Sequence, residues 1–459
     1  METINKTLRD SKTARWLALA VVSFTMLCGY YLTDVMAPLK PLLEKELLWN
    51  SAEYGFFTSA YGWFNVFLLM LILGGIILDR MGVRFTGKMA TIIMVIGTAI
   101  KYWAISTHSL DGAEVLGMKA QVVIAGLGFA VFGVGVEVAG ITVSKIIVKW
   151  FKGKEMALAM GLEMATARIG TTLAMVTSVP IARALDGVSK PILVCLIMLC
   201  IGMISFFLYA VMDKKLDKSL ALAASESKES EEESFNIRDI LLIVTNKGWW
   251  YIAILCVLFY SAVFPFLKYA TDLMVNKFGV EPDLAGIIPG MLPFGTMILT
   301  PLFGNLYDRK GKGASIMILG AVLLIFVHSM YSIPVLTATP IAIVLIIILG
   351  IGFSLVPSAM WPSVPKIIPE KQLGTAYAMI FWVQNIGLMG VPALIGWVLN
   401  KYCITGTHLI DGVEVSSYNY TLPMIIFTCF GLIALVFALL LKAEDKKKGY
   451  GLEMPNIKK

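Results

Sequence analysis

Charged residues are scarce in this sequence. They make up 15% of the 459 residues, whereas soluble domains usually carry about 25%. Hydrophobic residues make up 58% of the chain, which is more apolar surface than a water-soluble fold of this length can cover. The composition therefore excludes an ordinary soluble protein and predicts a protein that uses the lipid bilayer as its solvent.

Patterns that bind metals, nucleotides or nucleic acid are also lacking. The three histidines are scattered, and the glycines of GLGFAVFG at 126–133 lie inside an apolar run, where they favour helix packing rather than phosphate binding. The net charge of +7 comes from cations in short gaps between apolar runs, which argues against nucleic acid as a partner. We expect no enzymatic activity, metal, cofactor or use of ATP. We interpret the six cysteines as small core residues. They are Cys28, Cys195, Cys200, Cys256, Cys403 and Cys429.

Long apolar runs are what the chain has in place of these patterns. Lipid offers no hydrogen-bond partner to a backbone amide, so each run is predicted to be a helix. The fold class is therefore an all-α membrane protein. Twelve transmembrane helices are predicted, at residues 16–38, 54–78, 86–106, 120–149, 155–184, 191–212, 249–275, 285–306, 314–333, 339–364, 371–400 and 421–442.

A polar segment divides these spans into two sets of six. Residues 213–239 are rich in Ser, Glu and Lys, a composition typical of a solvated linker that has room for a short surface helix. We predict a first six-helix half, a cytoplasmic linker, a second six-helix half and a cytoplasmic tail. Their bounds are 1–212, 213–248, 249–442 and 443–459.

A short phrase occurs once in each half. GGIILDRMGVRF at 74–85 is echoed by GNLYDRKGKG at 304–313, and each phrase closes the second span of its half. Two six-helix repeats around a central pathway, related by pseudo-two-fold symmetry, are the architecture of secondary transporters. The offset is 229 residues for Gly75 and Gly304, Asp79 and Asp308, Arg80 and Arg309, and Gly82 and Gly311.

The repeated phrase also has a mechanical interpretation. Its aspartate can lie near a helix N-terminus, and its arginines can pair with carboxylates or terminal carbonyls of the other half. Together with Arg84, the repeated residues are therefore predicted to be latches that hold the cytoplasmic side shut and break when the halves move. The alternative is a tight loop whose charges only set the topology.

Basic residues set the predicted orientation. They cluster in four gaps on the side of the termini and the linker, and an excess of Lys and Arg marks the cytoplasmic side of a membrane protein. Both termini are therefore predicted to be cytoplasmic. The basic residues are Arg80, Arg84, Lys88, Lys149, Lys152, Lys154, Arg309, Lys310, Lys312, Lys366 and Lys371.

The doubled phrase resembles the signature of the major facilitator superfamily. Three further stretches resemble the MFSD1 family of lysosomal dipeptide transporters, namely residues 131–172 with WFKGKE, YSAVFPF at 260–266, and residues 358–388 with PEKQLGTAY. The resemblance implies a uniporter that carries dipeptides, preferably cationic ones, by alternating access. For a eukaryotic chain it implies a lysosomal location and an accessory membrane glycoprotein. The chain resembles a prokaryotic relative of this family. We therefore expect its location to be the plasma (inner) membrane rather than the lysosome.

Two charged side chains stand midway along predicted spans. Glu137 lies in the fourth span and Arg168 in the fifth, at similar depth and among small residues. An ionisable group at such depth is costly and marks a functional site. Since a dipeptide is a zwitterion, we predict that Glu137 receives its α-amine and Arg168 its carboxylate. The resemblance implies substrate contact for both residues. The alternative, which is compatible with this role, is an ion pair that locks two helices.

Further residues are predicted to line the pathway. Asp34 either caps the helix before Pro38 or lines the outer vestibule. Lys268 and Asp272 are four residues apart in one span and are expected to pair with each other.

Neutral and aromatic residues complete the predicted site. Gln384 and Asn385 are expected to offer uncharged hydrogen bonds to a peptide amide. Trp361 and Trp382 either form flat apolar walls of the cavity or pack in the ordinary way against lipid. The resemblance adds Tyr61, Trp63, Asn65 and Tyr260 as candidates for substrate contact.

Lys145 leaves other functions open. It lies two turns after Glu137 on the same helix face, where it either faces the pathway or reaches the cytoplasmic surface. With Arg168 it would form the anion site of a proton-coupled symporter for a sugar phosphate or carboxylate. A non-transporting membrane receptor or scaffold is a further alternative, in which Glu137 and Arg168 stay paired and dry.

Overall fold

The computed structural model describes residues 8–115, 117–151, 155–223, 237–369 and 372–456. Several predictions made from the sequence fall outside these ranges. They are the positions of Lys152, Lys154 and Lys371 and of linker residues 224–236.

The first half of the described chain is built from helices and one short pair of strands. Two 3-10 turns, Leu8–Asp10 and Ala60–Gly62, accompany the helices. The strands are β1 (Glu114–Val115) and β2 (Met118–Lys119). The helices are α1 (Lys12–Asp34), α2 (Lys40–Leu47), α3 (Ser51–Ser59), α4 (Trp63–Phe67), α5 (Met70–Ser106), α6 (Ala120–Phe151), α7 (Met156–Ala184) and α8 (Lys190–Ala223).

The second half repeats this plan. An antiparallel hairpin, β3 (Ile404–Ile410) and β4 (Val413–Tyr418), stands between its last two helices. The helices are α9 (Ile237–Val244), α10 (Lys247–Phe278), α11 (Pro282–Ala285), α12 (Ile287–Lys310), α13 (Gly313–Ser332), α14 (Thr339–Ile367), α15 (Leu373–Tyr402) and α16 (Thr421–Lys448).

Twelve segments of this helical protein cross the membrane. Ten described helical stretches are long and apolar enough for a span. One of them, α5, contains two crossings, because its backbone turns at Gly82, where φ is 74°. The remaining crossing is α7, which is 29 residues long and packs against α1 and α12. The predicted fold class and number of spans are confirmed.

The sixth crossing is longer than its apolar run. Its helix, α8, continues to Ala223, well past residue 212 where the predicted span ends. Asp213 and Asp217 lie on this extension, and their carboxylates are 2.8 Å and 2.6 Å from the Lys149 ammonium. Arg84 binds Asp217 at 2.8 Å. Ion pairs to neighbouring helices thus hold polar residues in a helix that hydrophobicity alone would end earlier.

The repeat found in the sequence is visible in the backbone. Gly82 has a φ of 74°, and its counterpart Gly311 has a φ of 70°. A residue with a Cβ adopts this left-handed region only at a cost, so glycine suits both turns. Each turn joins the second crossing of its half to the third.

The two halves touch mainly through two helix pairs, α3 with α15 and α7 with α12. The contacts are close, because a Cβ on Gly396 would lie 2.3 Å from the Ser51 carbonyl oxygen, and a Cβ on Gly286 would lie 2.2 Å from the Met175 carbonyl oxygen. Both contacts lie at the end of the molecule that carries the β3–β4 hairpin, which we call the hairpin face. The opposite end, which carries the start of α1 and residues 449–456, is the terminal face.

Candidate functional site

Glu137 lies midway along α6 and is half-buried. Its carboxylate accepts a hydrogen bond of 2.6 Å from the Tyr61 hydroxyl. Tyr61 belongs to the 3-10 turn that follows α3, and this turn lies directly on α6. A Cβ on Gly133 would lie 2.2 Å from the Tyr61 carbonyl oxygen, so the small residue at 133 lets the Tyr61 side chain reach the carboxylate.

Arg168 lies in the middle part of α7 and faces the second half of the protein. Its guanidinium carbon is 5.4 Å from the ring centroid of Phe264 in α10 and 5.8 Å from that of Phe353 in α14. Aromatic faces attract a guanidinium without using its N–H donors. Arg168 forms no ion pair with a described carboxylate, so Glu137 and Arg168 are not locked to each other in this conformation.

Tyr30 of α1 lies in the neighbourhood of these charged groups. Its hydroxyl lies close enough to Arg168, Glu137, Glu163 and Asp34 to feel their charges. Glu163, in α7 five residues before Arg168, was not singled out in the sequence. The sequence could have pointed to Glu163, because it is a second ionisable residue in the same span as Arg168. The structure places Glu163 near Arg168 and Glu137.

Aromatic side chains form the opposite wall. The Trp361 indole donates a 3.1 Å hydrogen bond to the Tyr260 hydroxyl, and its ring stacks on Phe381 with centroids 4.9 Å apart. Tyr260 also contacts Phe264 and Phe353, the two rings beside Arg168. The first half therefore supplies the charged groups, and the second half faces them with aromatic rings.

The predicted polar residues Asn65, Gln384 and Asn385 are buried at the contact between helices. The Asn65 amide donates to the Gly133 carbonyl at 3.3 Å, and the Gln384 side-chain oxygen accepts from the Cys256 thiol at 3.4 Å. The Asn385 amide donates to a backbone carbonyl one turn earlier. The side-chain oxygens of Asn65 and Asn385 have no partner in the described structure. In this conformation these side chains are enclosed.

Trp382 joins the two halves at a break in the second crossing. The crossing changes direction between α4 and α5, where Leu69 has a φ of 53°. The Trp382 indole donates 3.2 Å across the interface to the Val66 carbonyl, which lies beside this break. Trp63, by contrast, donates to Ser59 one turn earlier, so its predicted contact with the pathway is not made through this donor.

Asp34 joins the two halves at the hairpin face. It is buried, and its carboxylate binds the Lys268 ammonium of the other half at 2.6 Å. The expected pairing of Lys268 with Asp272 is therefore wrong. Asp272 instead binds Lys40 at 2.9 Å, and Lys40 also binds Glu44 at 2.7 Å. Each ammonium pairs with a carboxylate of the opposite half because these helix ends are pressed together.

The Lys40 cluster contains two acids and one base away from water. Burial alone would lower the pKa of Lys40, but the carboxylates of Asp272 and Glu44 outweigh it and raise this pKa. Burial and the nearby Asp272 charge raise the pKa of Glu44, although Lys40 opposes them. Burial, together with the second carboxylate, thus makes Glu44 readier to take up a proton than an isolated glutamate.

The β3–β4 hairpin fastens the second half to the first. Asp411 at its turn binds Lys45 at 2.8 Å and also binds Arg183. These hydrogen bonds from Lys45 and Arg183 lower the pKa of Asp411. At the other end of the hairpin, the Tyr418 hydroxyl donates to Glu44 at 2.9 Å. All of these contacts join the halves at the hairpin face.

The conformation is therefore asymmetric. The bonds between halves that the described residues form lie at the hairpin face or, for Trp382 and Val66, deeper in the membrane. Toward the terminal face, ion pairs such as Lys145–Asp79 and Lys149–Asp213 stay within the first half. The ion pairs that join the two halves are gathered at the hairpin face.

Comparison with known sequences places this architecture in a family. The sequence profile of the Major Facilitator Superfamily matches residues 19–392. The chain belongs to the major facilitator superfamily. It is accordingly a multi-pass membrane transporter.

Relatives within the superfamily narrow the comparison. The lysosomal dipeptide transporter MFSD1 of Mus musculus is 29% identical over 420 residues, which are 88% of this chain and 84% of the relative. The MFSD1 of Homo sapiens is 28% identical over 406 residues, covering 84% of this chain and 80% of the relative. The resemblance inferred from short stretches thus extends over most of the chain.

Solved superfamily structures share the fold. A bacterial homologue of the human lysosomal transporter Spinster, in an inward-facing and unoccupied conformation, has a TM-score of 0.68, is 14% identical and covers 95% of this chain and 98% of its own. A D-xylose–proton symporter has a TM-score of 0.69, is 16% identical and covers 92% of this chain and 97% of its own. Identity this low shows the fold alone.

The first copy of the superfamily motif is held within its own half. Asp79 binds Lys145 at 2.7 Å, and Arg84 binds Asp217. Arg80 is exposed, and a Cβ on Gly75 or Gly82 would meet nothing within 4 Å. Lys145 thus lies at the terminal face, bound to the motif.

The second copy is also held within its own half. Asp308 accepts a 2.7 Å hydrogen bond from Asn456, and Arg309 is exposed. Gly304 has free space around it, whereas Gly311 is covered by backbone atoms of Glu453 and Met454. Because each motif aspartate is bound within its own half, a latch between the two halves stays a prediction for another conformation.

Residues that the sequence did not single out form much of the site. Phe264 and Phe353 flank Arg168, and Lys40, Glu44 and Asp411 lock the hairpin face. Asp272 gave a usable signal, because a carboxylate inside a span requires a partner. Which lysine supplies that partner depends on packing between segments 232 residues apart, which spacing along one helix cannot reveal.

Proposed function

We propose that this transporter moves dipeptides, or similar small zwitterionic peptides, by alternating access. The single observation that carries the proposal is the arrangement of Glu137 and Arg168. They lie on adjacent spans at similar depth and are not paired with each other. Glu137 is held by Tyr61, and Arg168 faces the other half. An acid and a base that do not pair with each other, between two moving halves, match the two ends of a zwitterion.

Each end of the substrate has a partner in this proposal. The α-ammonium group binds Glu137, whose carboxylate is already oriented by the Tyr61 hydroxyl. The α-carboxylate binds Arg168, whose planar guanidinium offers two parallel N–H donors. The rings of Tyr260, Trp361 and Phe353 would contact the substrate side chains. The names of the MFSD1 relatives support the same substrate class.

The direction of opening follows from the contacts. With the terminal face assigned to the cytoplasm by its basic residues, we propose that the conformation locked at the hairpin face is the one that opens toward the cytoplasm. Outward opening would require rupture of the Asp34–Lys268 and Lys40–Asp272 pairs. The motif residues Asp79, Arg80, Arg84, Asp308 and Arg309 would then latch the cytoplasmic side. We propose uniport, since no proton-binding step is required to complete this cycle.

The organic-anion alternative has less support. It needs Lys145 and Arg168 at one site, but the Lys145 ammonium is bound to Asp79 at 2.7 Å. The receptor or scaffold alternative needs Glu137 and Arg168 to be paired, and they are not. Both alternatives remain distinguishable by transport assays.

The test is counterflow of a labelled dipeptide into proteoliposomes at pH 5.5 and pH 7.5 (about one unit on either side of the histidine pKa). We expect exchange at both pH values for the native chain. Glu137→Gln and Arg168→Ala should each reduce it at least about tenfold, because one charge-assisted contact is worth roughly 1.5–3 kcal/mol.

Two controls separate binding from folding. Arg168→Lys keeps the charge but loses the bidentate geometry, so intermediate activity is expected. Ligand-induced thermal shifts with the same dipeptide should vanish in Glu137→Gln and Arg168→Ala while their ligand-free melting temperatures stay close to native. Native counterflow with a sugar phosphate but with no dipeptide would overturn the proposal.

A further inference from the structure

The segment after α16 lies across the second copy of the superfamily motif. Residues 449–456, which we call the strap, run beside the turn that joins α12 to α13. The amides of Lys312 and Gly313 donate 2.9 Å hydrogen bonds to the carbonyls of Glu453 and Leu452. A backbone-to-backbone contact of this kind fixes the strap in one register.

Side chains of the strap add specific contacts. The Glu453 carboxylate accepts from the Ser315 amide at 2.9 Å and from the Ser315 hydroxyl at 2.8 Å. It therefore caps the first turn of α13, where the helix dipole favours an anion. The side-chain amide of Asn456 donates to the Asp308 carboxylate at 2.7 Å, and its backbone amide donates to the Asp308 backbone carbonyl at 3.1 Å. Leu452 is fully buried beneath these contacts.

The two copies of the motif differ because of the strap. In the first half, Lys145 of α6 binds the motif aspartate Asp79 directly at 2.7 Å. In the second half, Lys366 of α14 instead donates 3.0 Å hydrogen bonds to strap carbonyls. The strap itself holds the motif aspartate, Asp308. The strap thus replaces, in the second half, the direct lysine–aspartate pair that the first half forms between α6 and the motif.

Closure of the terminal face would change these surroundings. If the motifs latch the two halves there, Asp308 has to become available to a group of the first half. In the present conformation Asn456 occupies this carboxylate, and the backbone of Glu453 and Met454 covers Gly311 closely enough to exclude a Cβ. Binding of the strap and closure of the terminal face are therefore competing uses of the Asp308 carboxylate.

We propose that the strap is an autoinhibitory element that stabilises the conformation open at the terminal face and has to release Asp308 before this face closes. The inference rests on the proposed alternating access and on the motif as a latch. It does not depend on the identity of the substrate. It assigns a conformational role to residues that the sequence marked only as part of a polar tail.

The test measures the distance between the cytoplasmic ends of α7 and α12 in the full chain without substrate. Leu158 and Leu302 are exposed sites on these helices, so Leu158→Cys and Leu302→Cys carry spin labels after the six native cysteines are replaced. In Asn456→Ala and Glu453→Ala, the ratio of short to long distances should rise by roughly three- to tenfold, the effect of losing one or two ordinary hydrogen bonds.

Controls make the result specific. Lys447→Ala removes an exposed charge from the end of α16 without touching the strap and should leave the distances unchanged. Hydrogen exchange at the Lys312 and Gly313 amides reports strap release directly and should accelerate in the strap variants. Glu453→Gln, a milder change, replaces Glu453→Ala if the latter does not fold.

Faster exchange at Lys312 and Gly313 with an unaltered distance distribution would overturn the proposal, since the strap would then be released without consequence. The same holds if Lys447→Ala shifts the distances as much as Asn456→Ala. Absence of dipeptide counterflow in the native chain would refute the proposed substrate but would leave this measurement valid.

Discussion

The Lys40 ammonium lies 2.9 Å from the carboxylate of Asp272, and neither side chain is exposed to solvent, although the two residues belong to different halves of the transporter. A buried pair of this kind contributes little net stability compared with an apolar pair, but loss of one partner leaves an unpaired charge in a dry site. The pair therefore acts as a condition for closure, because the hairpin face can shut only when both charges meet.

Replacement of Lys40 tests this condition. Lys40→Met leaves Asp272 and Glu44 without their cation, and we expect a loss of about 3–5 kcal/mol in the free energy of unfolding of the detergent-solubilised protein. Lys45→Met removes an exposed pairing with Asp411 and should cost at most about 1 kcal/mol. Adding Asp272→Asn to Lys40→Met should recover part of the loss. Equal costs for the two lysines would contradict the buried lock.

Protonation of Glu44 should strengthen the closed hairpin face. The pKa of Glu44 in the closed protein is raised above the ordinary 4.5. Between pH 4.5 and this raised pKa, Glu44 therefore binds a proton more readily in the closed protein than in a state where its side chain is exposed to water. The stabilisation is complete below pH 4.5 and is lost as the pH rises through the raised pKa.

Melting temperatures at pH 5 and pH 8 measure this effect. The native chain should lose more stability on going to pH 8 than Glu44→Gln, which mimics the protonated acid at every pH. Glu414→Gln, which changes an exposed acid of the hairpin, should keep the native pH dependence. An identical pH profile for the native chain and Glu44→Gln would show that Glu44 does not titrate in this range.

The fold was predictable because the bilayer simplifies the problem. Twelve apolar runs and a motif repeated after 229 residues define the class, the two halves and the turns at Gly82 and Gly311. Helix ends were less predictable. Hydrophobicity ends the sixth span near residue 212, but ion pairs to Lys149 and Arg84 extend its helix to Ala223.

The sequence indicated the candidate site only where a single residue carried the argument. Glu137 and Arg168 stand out because a charged side chain in the middle of a span costs free energy in lipid and is therefore expected to have a function. Partners were not predictable in the same way, since Lys268 pairs with Asp34 rather than with Asp272 one turn away. Such choices depend on which helix ends meet across the two halves, and that information lies in packing rather than in local spacing.

Tyr61 should position Glu137 for the substrate. Tyr61→Phe keeps the ring but removes the 2.6 Å hydrogen bond to the carboxylate, so Glu137 loses its fixed orientation. We expect the KM for dipeptide counterflow to rise about three- to tenfold with little change in melting temperature. Tyr402→Phe, at an exposed position, is the matched control. If Tyr61→Phe kept the native KM for dipeptide counterflow, Tyr61 would not belong to the substrate site.

The contact between α3 and α15 gives the sharpest test of the motion. A Cβ on Gly396 would lie 2.3 Å from the Ser51 carbonyl oxygen and 2.7 Å from the Gly55 Cα atom. Both are backbone atoms that cannot turn aside, so Gly396→Ala should destabilise the closed hairpin face by about 1–3 kcal/mol. The population with short distances between Leu158 and Leu302 should grow, and counterflow should slow.

Gly390→Ala provides the control on the same helix, because a Cβ at Gly390 meets nothing within 4 Å. It should leave the distances and the transport rate close to native, and the gain in helix propensity should stabilise the chain by up to about 1 kcal/mol. If alanine at 396 and alanine at 390 gave the same distance distributions, the close approach of α3 and α15 would not limit the conformational change. A shift confined to Gly396→Ala would instead identify this backbone contact as the point where the two halves close.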